Sequence, residues 1–256
     1  MKPELNYRAL LAERLQRPIP SRMDARTTLR HFALITYAVA PERLAKVIPA
    51  DDFEVARFQT QNGERAFFSV AAFLDVDFQF PRFAPGINFQ FYQTNHRAYI
   101  IEKKTRQPVV WFFGTNLGSR LVHLPRALWK IPWHFSKYTA DCQFNSDWCR
   151  GEIKIRDTGE PISVLDGFST MDEMKLLLTH PVRGFYRRLD ECIGTYQIWH
   201  EEMTFTRGVA EHLYFSLYEK LELLTQAEMQ SPHSIFLCPE VEFDIQLPPK
   251  SFSRLP

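Results

Sequence analysis

The chain has 256 residues and a formal net charge of +1 at pH 7, so it projects no long-range field toward nucleic acid or an anionic membrane surface. Hydrophobic residues make up 45% of it and include 22 phenylalanines, enough for one large core, and all-β chains of this length are commonly single domains. No apolar run approaches the length of a membrane span, and charged Glu4, Arg8, Glu13 and Arg14 leave no signal-peptide hydrophobic region near the N-terminus.

Leu5, Ala9, Ala12 and Leu15 recur at helical spacing, which predicts an amphipathic helix over residues 4–16 ending before Pro18. With the linker that follows, it forms an N-terminal arm over residues 1–27. The arm region is basic, with seven Lys and Arg against three acids in the first thirty residues, as expected of a solvated surface. From Arg30 onward strand signals dominate, and residues 28–256 are read as one domain without internal repeats. Residues 67–74, 87–101 and 108–114 are rich in aromatic and β-branched types, separated by turn pairs such as Asn62-Gly63 and Pro85-Gly86, and 87–101 and 108–114 are expected to form neighbouring strands bordering an internal cavity.

Alternation over 87–101 puts Phe89, Phe91, Gln93, Asn95, Arg97 and Tyr99 on one face. That face is polar enough to line a cavity; a solvent-facing strand fits the pattern equally well. Residues 117–124 read as a strand-to-turn transition. Residues 170–193 carry helical patches around Met174, Leu177 and Leu178, broken at Pro181. Strand character returns at 195–206 and 210–217, and 225–229 reads as a short helical turn. Cys142, Cys149, Cys192 and Cys238 are widely spaced with no Cys-x-x-Cys pair, which predicts reduced thiols and a cytoplasmic location.

Three segments carry a family resemblance. The run Pro125-Arg126-Ala127-Leu128-Trp129-Lys130-Ile131-Pro132-Trp133-His134 resembles the active-site segment of acetoacetate decarboxylase, in which the proline is followed by two lysines. Arg126, Leu128 and Pro132 match, and Trp133 and His134 stand in place of the lysines. The run from Arg30 to Pro49 is similar to that family's entry strand and short helix, with Arg30 at the position of an arginine associated with the substrate carboxylate. Residues 233–236 and 241–249 resemble its closing strands. Asn95, Arg97 and Tyr99 reproduce the Asn-x-Arg-x-Tyr strand of the uncharacterised YqjF-like relatives. Gln93 aligns with the glutamate that orients substrate in the decarboxylases.

The resemblance implies a mainly β, β-rich α+β fold: a closed, cone-shaped antiparallel β-barrel with short flanking helices. It also makes homo-oligomerisation an expectation. It supports a fold rather than a reaction, because the first lysine of the motif is the one that attacks the substrate ketone and an indole forms no imine.

The preferred reading is a barrel that binds a small carboxylate or carbonyl compound, with Arg30, Gln93, Asn95, Arg97 and Trp133 as ligand-binding residues. Arginine suits this role because its planar donor fork matches a carboxylate. The bland alternatives are a rim salt bridge for Arg30 and a satisfied polar ladder for the strand residues. A second reading is an enzyme without an imine, in which His134 serves as acid-base catalyst beside Arg30 on a keto acid; a buried, hydrogen-bonded core histidine is the competing fate of His134. A third is an interaction module whose pocket is filled by aromatic side chains. No histidine cluster has metal-ligand spacing, and no glycine-rich phosphate loop or nucleophile elbow occurs. Neither a metal, another cofactor, nucleic acid nor a membrane is expected as partner.

Overall fold

The computed structural model describes residues 6–139 and 142–252. Helix α1 spans Tyr7–Arg14, α2 Pro41–Ala45, α3 His123–Trp129, α4 Met171–Leu178, α5 Ser216–Lys220 and α6 Gln226–Met229. The strands are β1 Ala25–Val39, β2 Phe53–Val55, β3 Phe58–Thr60, β4 Gly63–Phe80, β5 Ala84–Glu102, β6 Pro108–Leu117 and β7 Trp133–Phe135. They continue with β8 Lys137–Tyr138, β9 Gln143–Asn145, β10 Arg150–Pro161, β11 Arg183–Arg187, β12 Ile193–His200, β13 Thr206–Phe215 and β14 Ser234–Ser251. None of the helices is long and apolar enough to cross a membrane.

Seven strands, in the order β1-β4-β5-β6-β11-β12-β14, close into a barrel through the β1–β14 pairing. Closure leaves these strands without free edges, and it obliges successive side chains to alternate between the barrel interior and its outer wall. Two apolar clusters follow from that alternation. Leu29, Leu34, Phe67, Phe73, Phe112, Tyr186 and Phe236 belong to the inner one. Ile35, Tyr37, Phe68, Val70, Ile100 and Trp111 belong to the outer one, where β9, β10, β13 and α5 contribute Phe144, Ile153, Leu213, Phe215 and Tyr218. The strands β13-β10-β9-β8 continue from β14 as a second layer over the outer wall.

The expected neighbours 87–101 and 108–114 lie within β5 and β6, which pair antiparallel from Gln93↔Leu117 to Ile101↔Pro108. The expected strand-to-turn transition at 117–124 is present: β6 ends at Leu117, a 3-10 turn spans Arg120–Val122, and α3 follows from His123. One reading is corrected. The helical patches end at Leu178, and residues 183–187 form β11, which joins β6 in parallel. Pro181 stops the helix because it cannot donate its backbone N–H, and the chain beyond it is captured by a strand distant in sequence.

Gly184 on β11 shows how tightly the wall is built. A Cβ there would overlap the ring of Phe112, which is itself stacked on Tyr196 at 5.5 Å and 18°. Gly184→Ala is expected to destabilise the fold by roughly 1–3 kcal/mol. The expected readout is a lower urea midpoint with an unchanged denaturant slope.

Candidate functional site

Register decides what points inward. On β5 the residues Phe91 and Tyr99 belong to the inner cluster, so Gln93, Asn95 and Arg97 between them face the interior. Their partners on β4 are Phe73 for Gln93, Ala71 for Asn95 and Ser69 for Arg97. Ala71 is the smallest of these three side chains.

Arg97 is 8% exposed. Its Nε donates to Ser69 Oγ at 3.3 Å and its Nη2 to the carbonyl of Leu178 at 3.0 Å. The Tyr99 hydroxyl donates to the same carbonyl at 3.1 Å. Leu178 is the last residue of α4, where carbonyls have no intrahelical donor and carry the negative end of the helix dipole. Among the described residues no carboxylate pairs with Arg97, and its Nη1 has no hydrogen-bond partner yet is not sealed from solvent.

Two further donors face the same space. Asn95 Oδ1 accepts from Thr115 Oγ1 at 2.8 Å and from Gln93 Nε2 at 3.0 Å, which fixes the amide orientation and leaves Nδ2 free to donate. Tyr196, on the neighbouring wall, stacks on Phe112, the cross-strand partner of Arg97. Its hydroxyl has no partner among the described residues. Burial, and then the neighbouring Tyr186, push it further above the ordinary tyrosine range, against the opposing charge of Arg97, so the phenol stays protonated and can donate.

Trp133 and His134 face opposite ways. β7 pairs in parallel with β6, Thr115 opposite Trp133, and Trp133 is buried in the inner cluster. His134 lies on the outer side, its ring stacked on Trp148 at 4.6 Å and 4°. Arg126 Nη1 donates to His134 Nδ1 at 3.2 Å and to the Trp133 carbonyl at 2.6 Å. Burial first, then the charge of Arg126, lower the imidazole to about 4, so it is neutral at pH 7.

Arg30 does not join the interior group. It is half exposed and its Nε donates to Glu240 Oε2 at 2.6 Å. The cause is a bulge: β1 shifts register against β4 between Arg30 and Ala33, and His31 adopts φ 52. Leu29 and Phe32 therefore both point inward while Arg30 and His31 both point out. Lys130 and Lys137, which flank the Trp133-His134 pair, are exposed. The other described lysines are exposed too, except half-buried Lys175, which is bonded to Glu202.

A model of the DUF2071 family, described as an uncharacterized conserved protein (COG2071), matches residues 26–242. The chain belongs to the DUF2071 family. Among solved structures it is similar to the enduracididine biosynthesis enzyme MppR with HEPES buffer bound, at TM-score 0.54 and 12% identity, covering 93% of this chain and 90% of that one. MppR complexed with pyruvate gives TM-score 0.52 and 10% identity, covering 92% of each chain. An acetoacetate decarboxylase-like enzyme from Sphingomonas wittichii RW1 gives TM-score 0.50 and 8% identity, covering 92% of this chain and 95% of the other. At such identities these likenesses establish the acetoacetate decarboxylase-like fold alone. A search of curated protein sequences returns no significant match.

Sequence reasoning on this DUF2071 chain missed Tyr196 and Asp75. The parity of Tyr196 within its strand was the available signal, but no reference residue fixed which face was inner. Asp75 lies inward opposite Leu29 and Phe91. It is 2% exposed, accepts from Thr27 Oγ1 at 3.0 Å and leaves Oδ2 without a partner. Burial raises its carboxyl from the usual 3.8 to about 8, against the lowering effect of the Thr27 bond.

A carboxyl raised on folding binds more protons in the native state than in the unfolded chain, so stability falls as pH rises through that interval. Wild-type protein is expected to lose stability between about pH 4 and about pH 8, a loss that Asp75→Asn removes. Urea titrations at four or five pH values across this window measure it, and parallel curves for the two proteins would exclude Asp75 as the source.

Proposed function

We propose that the protein is a small-molecule-binding barrel that holds a small carboxylate or carbonyl compound against Arg97 without forming an imine. The observation that carries this reading is a buried guanidinium with one open donor nitrogen and no carboxylate partner among the described residues. Asn95 Nδ2 and the Tyr196 hydroxyl add two more donors on the inner wall, which suits an anion or a carbonyl oxygen. Gln93 positions Asn95, and Trp133 supplies apolar wall. MppR, a protein of the same fold, has been solved with pyruvate, and that supports a small oxygen-rich acid as the ligand class.

The absence of an imine rests on the exposure of Lys130 and Lys137 and on Trp133 at the position where the decarboxylase motif has its reactive amine. The rival reading, acid-base chemistry by His134 with Arg30, draws no support from geometry, since both side chains lie outside the barrel. Cys149, Cys192 and Cys238 are free thiols, which supports a reducing compartment such as the cytoplasm.

Calorimetric titration with acetoacetate and 2-oxobutyrate tests the binding. Arg97→Met is expected to weaken it roughly 10- to 100-fold, the worth of a charge-assisted hydrogen bond, while Arg30→Met leaves it unchanged. Unaltered affinity in Arg97→Met would refute the assignment. Intact mass after incubation with acetoacetate and borohydride is expected to show no adduct, and a stoichiometric adduct on any lysine would restore the imine mechanism.

A further inference from the structure

Aromatic rings neighbour the donors on Arg97 and Asn95. Trp133 is the register partner of Thr115, which bonds Asn95, and Phe112 is the register partner of Arg97. An indole and the Phe112–Tyr196 stack therefore bracket the two donors along β6. Toward the Asp75 end of the barrel, Phe91, Trp129, Tyr196 and Phe243 gather around the cluster of Ala25, Phe78, Ile245 and Leu247. These four rings are only half-buried, although Phe91, Tyr196 and Phe243 sit on inward faces. Each inward ring is packed on one side, Phe91 on Phe78, Tyr196 on Phe112 and Tyr186, and Phe243 on His200, and the surface left uncovered is what an aromatic ligand can contact.

We infer that the ligand is an aromatic carboxylic acid, its carboxylate on Arg97 and Asn95 and its ring a few bonds away among Trp133, Tyr196 and Phe91. This rests on the carboxylate-binding reading above and deepens it. Arg97 and Phe112 are antiparallel register partners whose side chains share one face, so the Phe112–Tyr196 stack borders the guanidinium. A planar ring offers the offset or edge-to-face contacts that such a wall favours. A saturated ring of equal carbon count is thicker and has no quadrupole, yet it is more apolar. Simple hydrophobic burial would therefore prefer the saturated ring, and stacking reverses that order.

The test is calorimetric titration of the purified full chain with 3-phenylpropanoate and 3-cyclohexylpropanoate, which share one carboxylate and one spacer. The expected result is that the phenyl acid binds on the order of tenfold tighter, the worth of one to two aromatic contacts. Phe91→Leu and Tyr196→Leu are expected to erase that preference while both acids still bind, and Arg97→Met to weaken both acids alike. Equal affinities, or a preference for the cyclohexyl acid, with Arg97 still required, would overturn the aromatic assignment and leave the carboxylate reading standing. If neither acid binds and Arg97→Met changes nothing with acetoacetate or 2-oxobutyrate, both fall together. The wild-type comparison decides the question even if a variant fails to fold.

Discussion

A guanidinium inside a barrel is the constraint from which the rest of the arrangement follows. Leaving a buried ion without compensation costs several kcal/mol, and Arg97 is compensated by dipoles rather than by a counter-charge. The segment 178–180, at the end of α4, supplies them. Leu178 gives its carbonyl to Arg97 and Tyr99, Thr179 gives its carbonyl to His200 Nε2 at 2.8 Å, and His180 gives its carbonyl to Arg14 Nη1 at 2.5 Å. Arg14 belongs to α1, and burial lowers its guanidinium to about 10. One turn of backbone thus ties the arm, the barrel wall and the interior together through carbonyls that a helix terminus leaves free.

The same constraint explains which parts of the molecule the sequence reveals. Strand β5 is long, and a period of two needs no tertiary information, so the shared face of Gln93, Asn95 and Arg97 was readable and so was its pairing with β6. The family resemblance supplied the closed barrel that composition alone could not. Arg30 was misplaced relative to this face because a single extra residue, His31, reverses parity, and a left-handed histidine in a run of β-formers leaves no signature in composition. β11 was missed for another reason: it has five residues, Arg183–Arg187, and is held between antiparallel β12 on one side and, on the other, a parallel pairing to distant β6. Such pairing is a product of chain closure over a long distance rather than of local preference.

The pair Trp133 and His134 shows how register alone divides two adjacent side chains between the barrel interior and its outside. The proline-led turn still delivers one side chain into the barrel and the next to the outside, because β7 docks on β6 in parallel register. The outer position is now occupied by a neutral imidazole, its Nδ1 already accepting from Arg126 and its face covered by Trp148. Gly114 is required for that cover, since a Cβ there would sit 2.6 Å from the Trp148 ring. The inner position is an indole against Thr115. Polar character in the interior therefore resides in the donors on β5 and β12 and in Asp75 on β4, while no described lysine offers an amine there. On the proposed reading, such an interior is pre-organised to hold negative charge, and discrimination between ligands would fall to the shape and electronics of the surrounding rings.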